Sequence, residues 1–185
     1  REMQQISTAF VGSADREIGR DAARHLIELG HRQLLFVGDG AVVSTSRYRE
    51  EGFRRVLSES AGASCKVINN GVGEGEDAIL QLLRGEDCPT AIFCYCDPVA
   101  EVMMKRVLEA GLSVPGDISV LGSGNQVTPD CPLPLSTFDQ NPHLIGKTAA
   151  GLYLERVYEQ NRSGSRRELI PATLLPRAST AALAR

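Results

Sequence analysis

The order of strands and helices constrains the fold of this chain more than any other feature of its sequence. Five short apolar segments each run out into a polar, often glycine-bearing loop, and a helical pattern usually follows. These segments end at Gly38-Asp39, Asn69-Asn70, Cys96-Asp97, Gly122-Ser123 and Asp139-Gln140. Strands that alternate with helices are typical of βαβ units, with parallel strands in one sheet and helices on both of its faces. The sequence therefore predicts an α/β fold whose ligand site lies at the carboxyl ends of the strands.

Hydrophobic periodicity and turn residues locate the individual elements. Strands are predicted over residues 6–11, 33–37, 66–68, 90–95, 118–121, 135–138 and 169–175. Helices are predicted over residues 15–29, 76–83, 97–110 and 142–160, and a further helix begins at residue 44, 45 or 46 and ends at about residue 57. Side chains of residues 44–46 and of Asp97 are predicted helix caps. Gly30 is expected to end the first helix and His31 to cap it, and Pro171 predicts an edge position or a break in the last strand.

Composition and charge exclude several classes of protein. A net charge of −3 does not indicate the basic surface that binds nucleic acid. No apolar run approaches the roughly 18 residues that a membrane span requires. The five cysteines are irregularly spaced, which argues against a disulfide framework and favours reduced thiols in a cytoplasm.

Catalytic motifs are missing from the sequence. Residues 71–75 (GVGEG) follow a strand, but their glycines do not have the G-x-G-x-x-G spacing, and no Walker lysine follows. No G-x-S-x-G elbow exists, and the three histidines are scattered. Cys94 and Cys96 share a strand face, which is more often core than a metal site. We expect no enzymatic activity, no metal and no cofactor.

Five segments resemble, in order, the lactose/galactose repressor (LacI/GalR) family of bacterial transcription regulators. They are residues 22–32 (AARHLIELGHR), 49–53 (REEGF), 89–94 (PTAIFC) with Asp97 and Ala100, 111–122 (GLSVPGDISVLG) and 175–180 (LPRAST). Each motif alone is weak, but five in register across residues 9–180 are specific. The resemblance implies a periplasmic-binding-protein-like, two-lobed sensor that binds a small, sugar-like effector and dimerises. It also implies an amino-terminal helix-turn-helix domain that binds operator DNA.

The resemblance also divides the chain. Residues 1–14 are expected to be a remnant of the amino-terminal lobe, 15–139 a three-layer αβα carboxy-terminal lobe, and 140–185 a crossover helix, last strand and tail. No DNA-binding domain is found in this chain, so operator DNA is expected to be contacted through a domain absent here. The chain is therefore predicted to be a truncated sensor.

The family's effector positions fall on six residues. Arg49 matches an effector-contacting arginine, whose planar fork of donors suits hydroxyls or a carboxylate. Thr45, Asn70 and Gln140 match pocket-lining positions, with a helix cap, a turn residue and a solvated loop as the competing structural interpretations. Cys96 replaces the Asn of an N-D pair, and Gly124 replaces the Asp of a G-[YF]-D-N element. Those two losses disfavour an ordinary hexose, because buried hydroxyls need partners. A less polar or an anionic ligand, or a partly degenerate site, are the alternatives.

Two further hypotheses concern partners. The helix from Pro98 to Glu109 is more apolar than one buried stripe requires, and a homodimer is predicted through Val99, Met103 and Val107. A periplasmic solute-binding lobe of an ABC transporter shares the fold and is the alternative function. The free cysteines and the terminal R-x-S-T favour the regulator.

Overall fold

Strands and helices alternate in the predicted order. The computed structural model describes residues 9–40, 43–69, 76–126, 130–158 and 166–183. The strands are β1 (Phe10–Ser13), β2 (Gln33–Gly38), β3 (Ser64–Asn69), β4 (Ala91–Cys94), β5 (Ser119–Leu121), β6 (Thr137–Asp139), β7 (Arg167–Ile170) and β8 (Thr173–Leu175). The helices are α1 (Asp15–Glu28), α2 (Ser44–Ser58), α3 (Glu76–Arg84), α4 (Asp97–Glu109) and α5 (Pro142–Tyr158).

The main sheet is parallel, as predicted. Its strand order is β3-β2-β4-β5, and a parallel bridge between Leu121 and Ser136 brings β6 alongside β5. Strand β8 then pairs antiparallel with β6. Because the strands from β3 to β6 run in the same direction, their carboxyl ends meet along one border of the sheet, which we call the carboxyl edge.

Helices cover both faces of this sheet, so the three-layer αβα architecture is confirmed. Alternate residues of each strand point to opposite faces. One face, with Phe36 and Phe93, packs under α1 and α2, where four phenylalanine rings form a chain with centroids 5.2–6.4 Å apart. The other face, with Leu35 and Ile92, packs under α3 and α4. Each fully buried side chain of this kind contributes about 1.5–3 kcal/mol.

A second group of elements lies beside the main sheet. β1 pairs in parallel with β7, and α5 packs against β1. The predicted last strand is in fact two strands, because the chain breaks at Pro171, which has no N–H to continue a ladder. Several apolar side chains of this group are exposed, among them Phe10, Leu169, Tyr153, Leu154, Val157 and Tyr158.

Helix ends differ from the sequence-based expectations. The residues that precede α2 and α4 are Val43 and Cys96, and neither helix has a side-chain cap, so the caps predicted at residues 44–46 and Asp97 are wrong. Gly30, by contrast, ends the first helical segment at a φ of +94°, as expected.

The side chain of His31 does not cap α1, although its backbone N–H donates to the Leu26 carbonyl oxygen at 3.0 Å. Its imidazole is buried, with Nδ1 3.1 Å from Thr90 Oγ1 and Nε2 3.1 Å from both Ser119 Oγ and the Ala181 carbonyl oxygen. The ring therefore ties the amino ends of β2, β4 and β5 to the carboxy-terminal segment. Burial lowers the pKa of His31 below its usual value.

That carboxy-terminal segment, residues 177–183, is built into the main sheet. Val120 N–H donates to the Ser179 carbonyl at 2.7 Å, and Ser179 Oγ donates to the Val120 carbonyl at 2.6 Å. Ser136 N–H donates in turn to Ser179 Oγ at 2.8 Å. The segment thus fills the gap between β5 and β6 on the side away from the carboxyl edge.

The predicted dimer side chains are not all available for contact. Met103 and Val107 are completely buried in the core under α4, because they lie on the face of the helix that packs against the sheet. The expectation that these two side chains meet a partner is therefore wrong. Val99 is partly buried, and Leu108 is 47% exposed on the outer face of the same helix.

Candidate functional site

Two glycines set the geometry on which the site depends. A Cβ added at Gly19 of α1 would lie 2.0 Å from the Arg49 carbonyl oxygen, and one added at Gly52 of α2 would lie 2.0 Å from the Arg16 carbonyl oxygen. Each helix therefore presents a glycine to the backbone of the other. This reciprocal arrangement lets α1 and α2 cross in direct contact and brings the first turn of α1 beside Arg49.

Arg49 is a buried ion-pair partner. Its side chain is 4% exposed, and its Nε and Nη2 atoms donate to Oδ1 of Asp15 at 3.0 and 2.8 Å. Nη1 donates to the Tyr95 carbonyl oxygen at the end of β4. Ser13 Oγ also donates to Asp15 Oδ1, at 2.8 Å. The guanidinium therefore links α1, α2 and β4, because its N–H groups donate both to the Asp15 carboxylate and to the Tyr95 carbonyl oxygen.

A pocket of about 400 Å³ lies next to this ion pair. It is bounded by the first turns of α1 and α2, by β1 and β7, and by the start of α5. Thr45 and Gln140, both predicted effector contacts, line it together with Asp15 and Tyr48. The pocket therefore combines hydroxyl, amide and carboxylate groups and the guanidinium groups of Arg16 and Arg167 with an aromatic ring and apolar side chains.

A second polar cluster centres on Asp97, further along the carboxyl edge. Thr137 Oγ1 donates to Asp97 Oδ1 at 2.6 Å, and the Gln126 N–H donates to Asp97 Oδ2 at 2.7 Å. Asp97, which follows β4, thus contacts the first residue of β6 and the loop after β5, rather than capping α4. Burial raises the pKa of Asp97, and the hydrogen bonds from Thr137 and Gln126 oppose that rise.

Asn125 extends this cluster to the end of the chain. It adopts a left-handed conformation with φ of +53°. Its amide donates to Asp139 Oδ2 at 3.2 Å and accepts from Arg177 Nη2 at 2.7 Å. Arg177 also donates to the Leu135 carbonyl at 3.0 Å, so the arginine of the R-x-S-T motif holds the loop after β5 in place.

Cys96 and Gly124 flank the Asp97 cluster. Cys96 is half-buried, and burial raises the pKa of its thiol, which keeps it protonated and unreactive near neutral pH. Gly124 has φ of +144°, a conformation that favours glycine, and a Cβ there would lie 3.5 Å from Asp97 Oδ2. A carboxylate at position 124 would therefore approach the Asp97 charge.

The predicted site residues fall into two groups. Thr45 and Gln140 share the pocket, and Arg49 touches it through Asp15, whereas Cys96 and Gly124 lie at the Asp97 cluster. Asn70 lies outside the described residues. Asp15, Thr137, Asn125, Asp139 and Arg177 were not predicted; the helical glycines at 19 and 52 were a signal for the Asp15 contact.

The arrangement suits binding by hydrogen bonds. The described residues include no group of His, Cys, Asp or Glu side chains that could hold a metal ion. Within the same ranges, no helix has the length and apolar character required to cross a membrane. Carboxylates, amides and hydroxyls along the carboxyl edge are groups that orient small polar ligands in sites of this kind.

Residues 23–180 match the family of periplasmic binding protein-like domains. Among curated relatives, the HTH-type transcriptional repressor PurR of Photobacterium profundum is 33% identical over 165 residues, which cover 85% of this chain and 48% of that protein. PurR of Aliivibrio salmonicida is 33% identical over 153 residues, covering 78% of this chain and 45% of that protein. The chain thus spans about half the length of these curated relatives.

Solved structures resemble the fold closely. A LacI family transcriptional regulator from Enterococcus faecalis with bound ribose has a TM-score of 0.80 at 29% identity, covering 98% of this chain and 67% of that one. The dimeric Lac repressor with an 11-residue carboxy-terminal deletion has a TM-score of 0.79 at 26% identity, covering 93% of this chain and 64% of that one.

Proposed function

Because this chain belongs to the family of periplasmic-binding-protein-like domains, in its LacI/GalR branch, we propose that it is the effector-binding part of a transcriptional repressor. The observation that carries this proposal is the pocket beside the Asp15–Arg49 pair, lined by Thr45 and Gln140. The relatives that are named as repressors favour this function over a transporter lobe, and over enzymatic activity. A regulator of this kind acts in the cytoplasm, without a cofactor.

The proposed effector is a hydroxyl-bearing metabolite such as a sugar. Thr45 and Gln140 supply hydrogen bonds to it, and Tyr48 supplies an apolar ring. Arg49 acts through Asp15, since its guanidinium already donates to Asp15 and to the Tyr95 carbonyl. Cys96, Gly124 and Asn70 are proposed to bound the rest of the site. The related regulator with bound ribose supports this ligand class.

The effector acts by shifting a population of conformations. We propose that residues 15–139 form one lobe and that β1, α5 and β7 belong to segments that connect it with a second lobe. The exposed Tyr153, Leu154 and Val157 side chains provide an apolar surface on which further protein can pack. An effector that binds one lobe arrangement more tightly changes operator affinity elsewhere, through a DNA-binding domain outside this chain.

A homodimer is proposed through the outer face of α4. Leu108 is 47% exposed there, and Val99 and Val102 are partly buried. This surface takes the place of Met103 and Val107, which are buried under α4. The dimeric state of the Lac repressor supports such an assembly. Substitution of Leu108 by Glu is expected to shift the protein toward monomer in sedimentation velocity, whereas the exposed Glu109→Gln exchange on the same helix is not.

The deciding experiment measures coupling between effector and operator. The protein, with the sequence that flanks this chain in its gene, is titrated with sugars and nucleosides while operator affinity is followed by fluorescence anisotropy. Gln140→Ala is expected to weaken the response about tenfold by removing one buried hydrogen bond. Gln33→Ala, at the opposite end of the sheet, is the matched control. A ligand that binds without any change in operator affinity would contradict the repressor function.

A further inference from the structure

Asp39, the first residue after β2, has one carboxylate oxygen that the described part of the chain leaves without a partner. Oδ2 accepts a hydrogen bond from the Val43 N–H at 2.9 Å, and the Asp39 N–H donates to Ser46 Oγ at 3.2 Å. Oδ1 is buried and has no hydrogen-bond partner among the described residues. The residue as a whole is partly exposed, so this carboxylate lies at the boundary between the interior and the open carboxyl edge.

A buried carboxylate oxygen without a donor is unfavourable. Leaving such a group unsatisfied costs more than a hydrogen bond gains, because its hydration is lost without replacement. No ion pair compensates Asp39 within the described ranges; the nearby Arg49 is committed to Asp15 and to the Tyr95 carbonyl. The Asp39 charge also acts on Tyr95. Burial is the main cause that raises the pKa of Tyr95 to about 12, and the negative charge of Asp39 adds to this rise.

Strand β5, which lies two strands away from β2 in the sheet, is not followed by the carboxylate that the family resemblance would place there. Gly124 occupies that position, and a side chain at 124 would approach Asp97 Oδ2. Asp97 is already engaged by Thr137 and Gln126. Of these two carboxylates at the carboxyl edge, Asp39 is therefore the one with an oxygen left for a ligand.

We propose that Asp39 is a ligand-binding residue that accepts a hydrogen bond from a hydroxyl group of a neutral polyol. This inference rests on the proposed function and names the chemical class that its site selects. The Asp39 charge favours hydroxyl donors and repels phosphate or carboxylate groups, so a free pentose is bound in preference to its phosphate ester. Asp39 at the end of β2 thus supplies the carboxylate acceptor that the family resemblance would place after β5.

The test uses isothermal titration calorimetry with D-ribose and D-ribose 5-phosphate on the protein with its flanking sequence. Asp39→Asn keeps an oxygen for the Val43 N–H but removes the charge, so ribose binding is expected to weaken about 10- to 100-fold, while the urea midpoint does not fall. Asp21→Asn, in an exposed pair with Arg24, is the matched control and should bind as the wild type does.

Each alternative result overturns a defined part of the reasoning. Wild-type affinity for ribose in the Asp39→Asn variant would show that Oδ1 does not contact the ligand. Tighter binding of ribose 5-phosphate than of ribose to the wild type would refute the selection of a neutral ligand, while the sensor function would stand. Absence of binding to both compounds refutes the pentose assignment, and the operator titration with the wider set of metabolites then decides the sensor function separately.

Discussion

Replacing Gly52 by alanine tests the helix crossing that positions Arg49. The added Cβ would lie 2.0 Å from the Arg16 carbonyl oxygen and 2.9 Å from its carbonyl carbon, both backbone atoms that cannot rotate away. Overpacking of this kind costs about 1–3 kcal/mol, and a contact with backbone puts the cost at the upper end. Alanine recovers about 1 kcal/mol through its higher helix propensity. The free energy of unfolding should therefore fall by about 2 kcal/mol.

The assay is thermal unfolding followed by circular dichroism. For a chain of this length, a loss of about 2 kcal/mol lowers Tm by about 4–8 °C. Gly146→Ala in α5 is the matched control, because no heavy atom lies within 4 Å of the new Cβ. The control is expected to raise stability by about 0.5–1 kcal/mol. If Gly52→Ala proves as stable as the control, α1 and α2 do not cross in the contact described here, and the placement of Asp15 beside Arg49 loses its basis.

Three further outcomes follow from the buried polar groups. Burial lowers the pKa of His31 in the folded state. The free energy of unfolding should therefore be highest above the unfolded-state pKa of 6.5 and should decrease as the pH falls below it. In urea titrations, His31→Gln should reduce this pH dependence. Thr137→Val should cost about 2 kcal/mol, since Asp97 loses a buried donor, and should steepen the loss of stability as pH rises through the raised Asp97 pKa. Ser179→Ala should cost about 2–3 kcal/mol in the same denaturant assay by leaving two buried backbone groups unpaired; a change below 0.5 kcal/mol would contradict the described bonding.

Periodicity was sufficient to predict the architecture because it depends on local sequence. The continuous apolar run at Leu34–Val37 must be buried on both faces, which requires helices on both sides of a parallel sheet. The prediction that Gly30 ends the first helix in a left-handed conformation is likewise confirmed. The break in the last strand followed from the missing N–H of Pro171. In each case the residue itself carries the structural constraint.

The site depended instead on contacts between distant residues. In the sequence, Asp15 is only the first residue of a predicted helix, yet its carboxylate lies against Arg49, which is 34 positions away. The sequence predicts that Asp97 caps α4, but its carboxylate instead accepts a hydrogen bond from Thr137, which lies 40 positions later in the chain. Helical periodicity gave α4 a wide apolar surface without indicating which part faces the sheet, so Met103 was assigned to the wrong side.

The position of residues 177–183 has a consequence for biosynthesis. The backbone N–H of Val120 is satisfied by Ser179, and Leu183 N–H donates to the Leu29 carbonyl at 2.8 Å. The central layer can therefore be completed only after these late-translated residues have left the ribosomal tunnel. Until then the nascent chain keeps unpaired strand groups beside a largely formed core, a state that is prone to misassembly. Chaperone dependence should consequently influence the yield of folded protein.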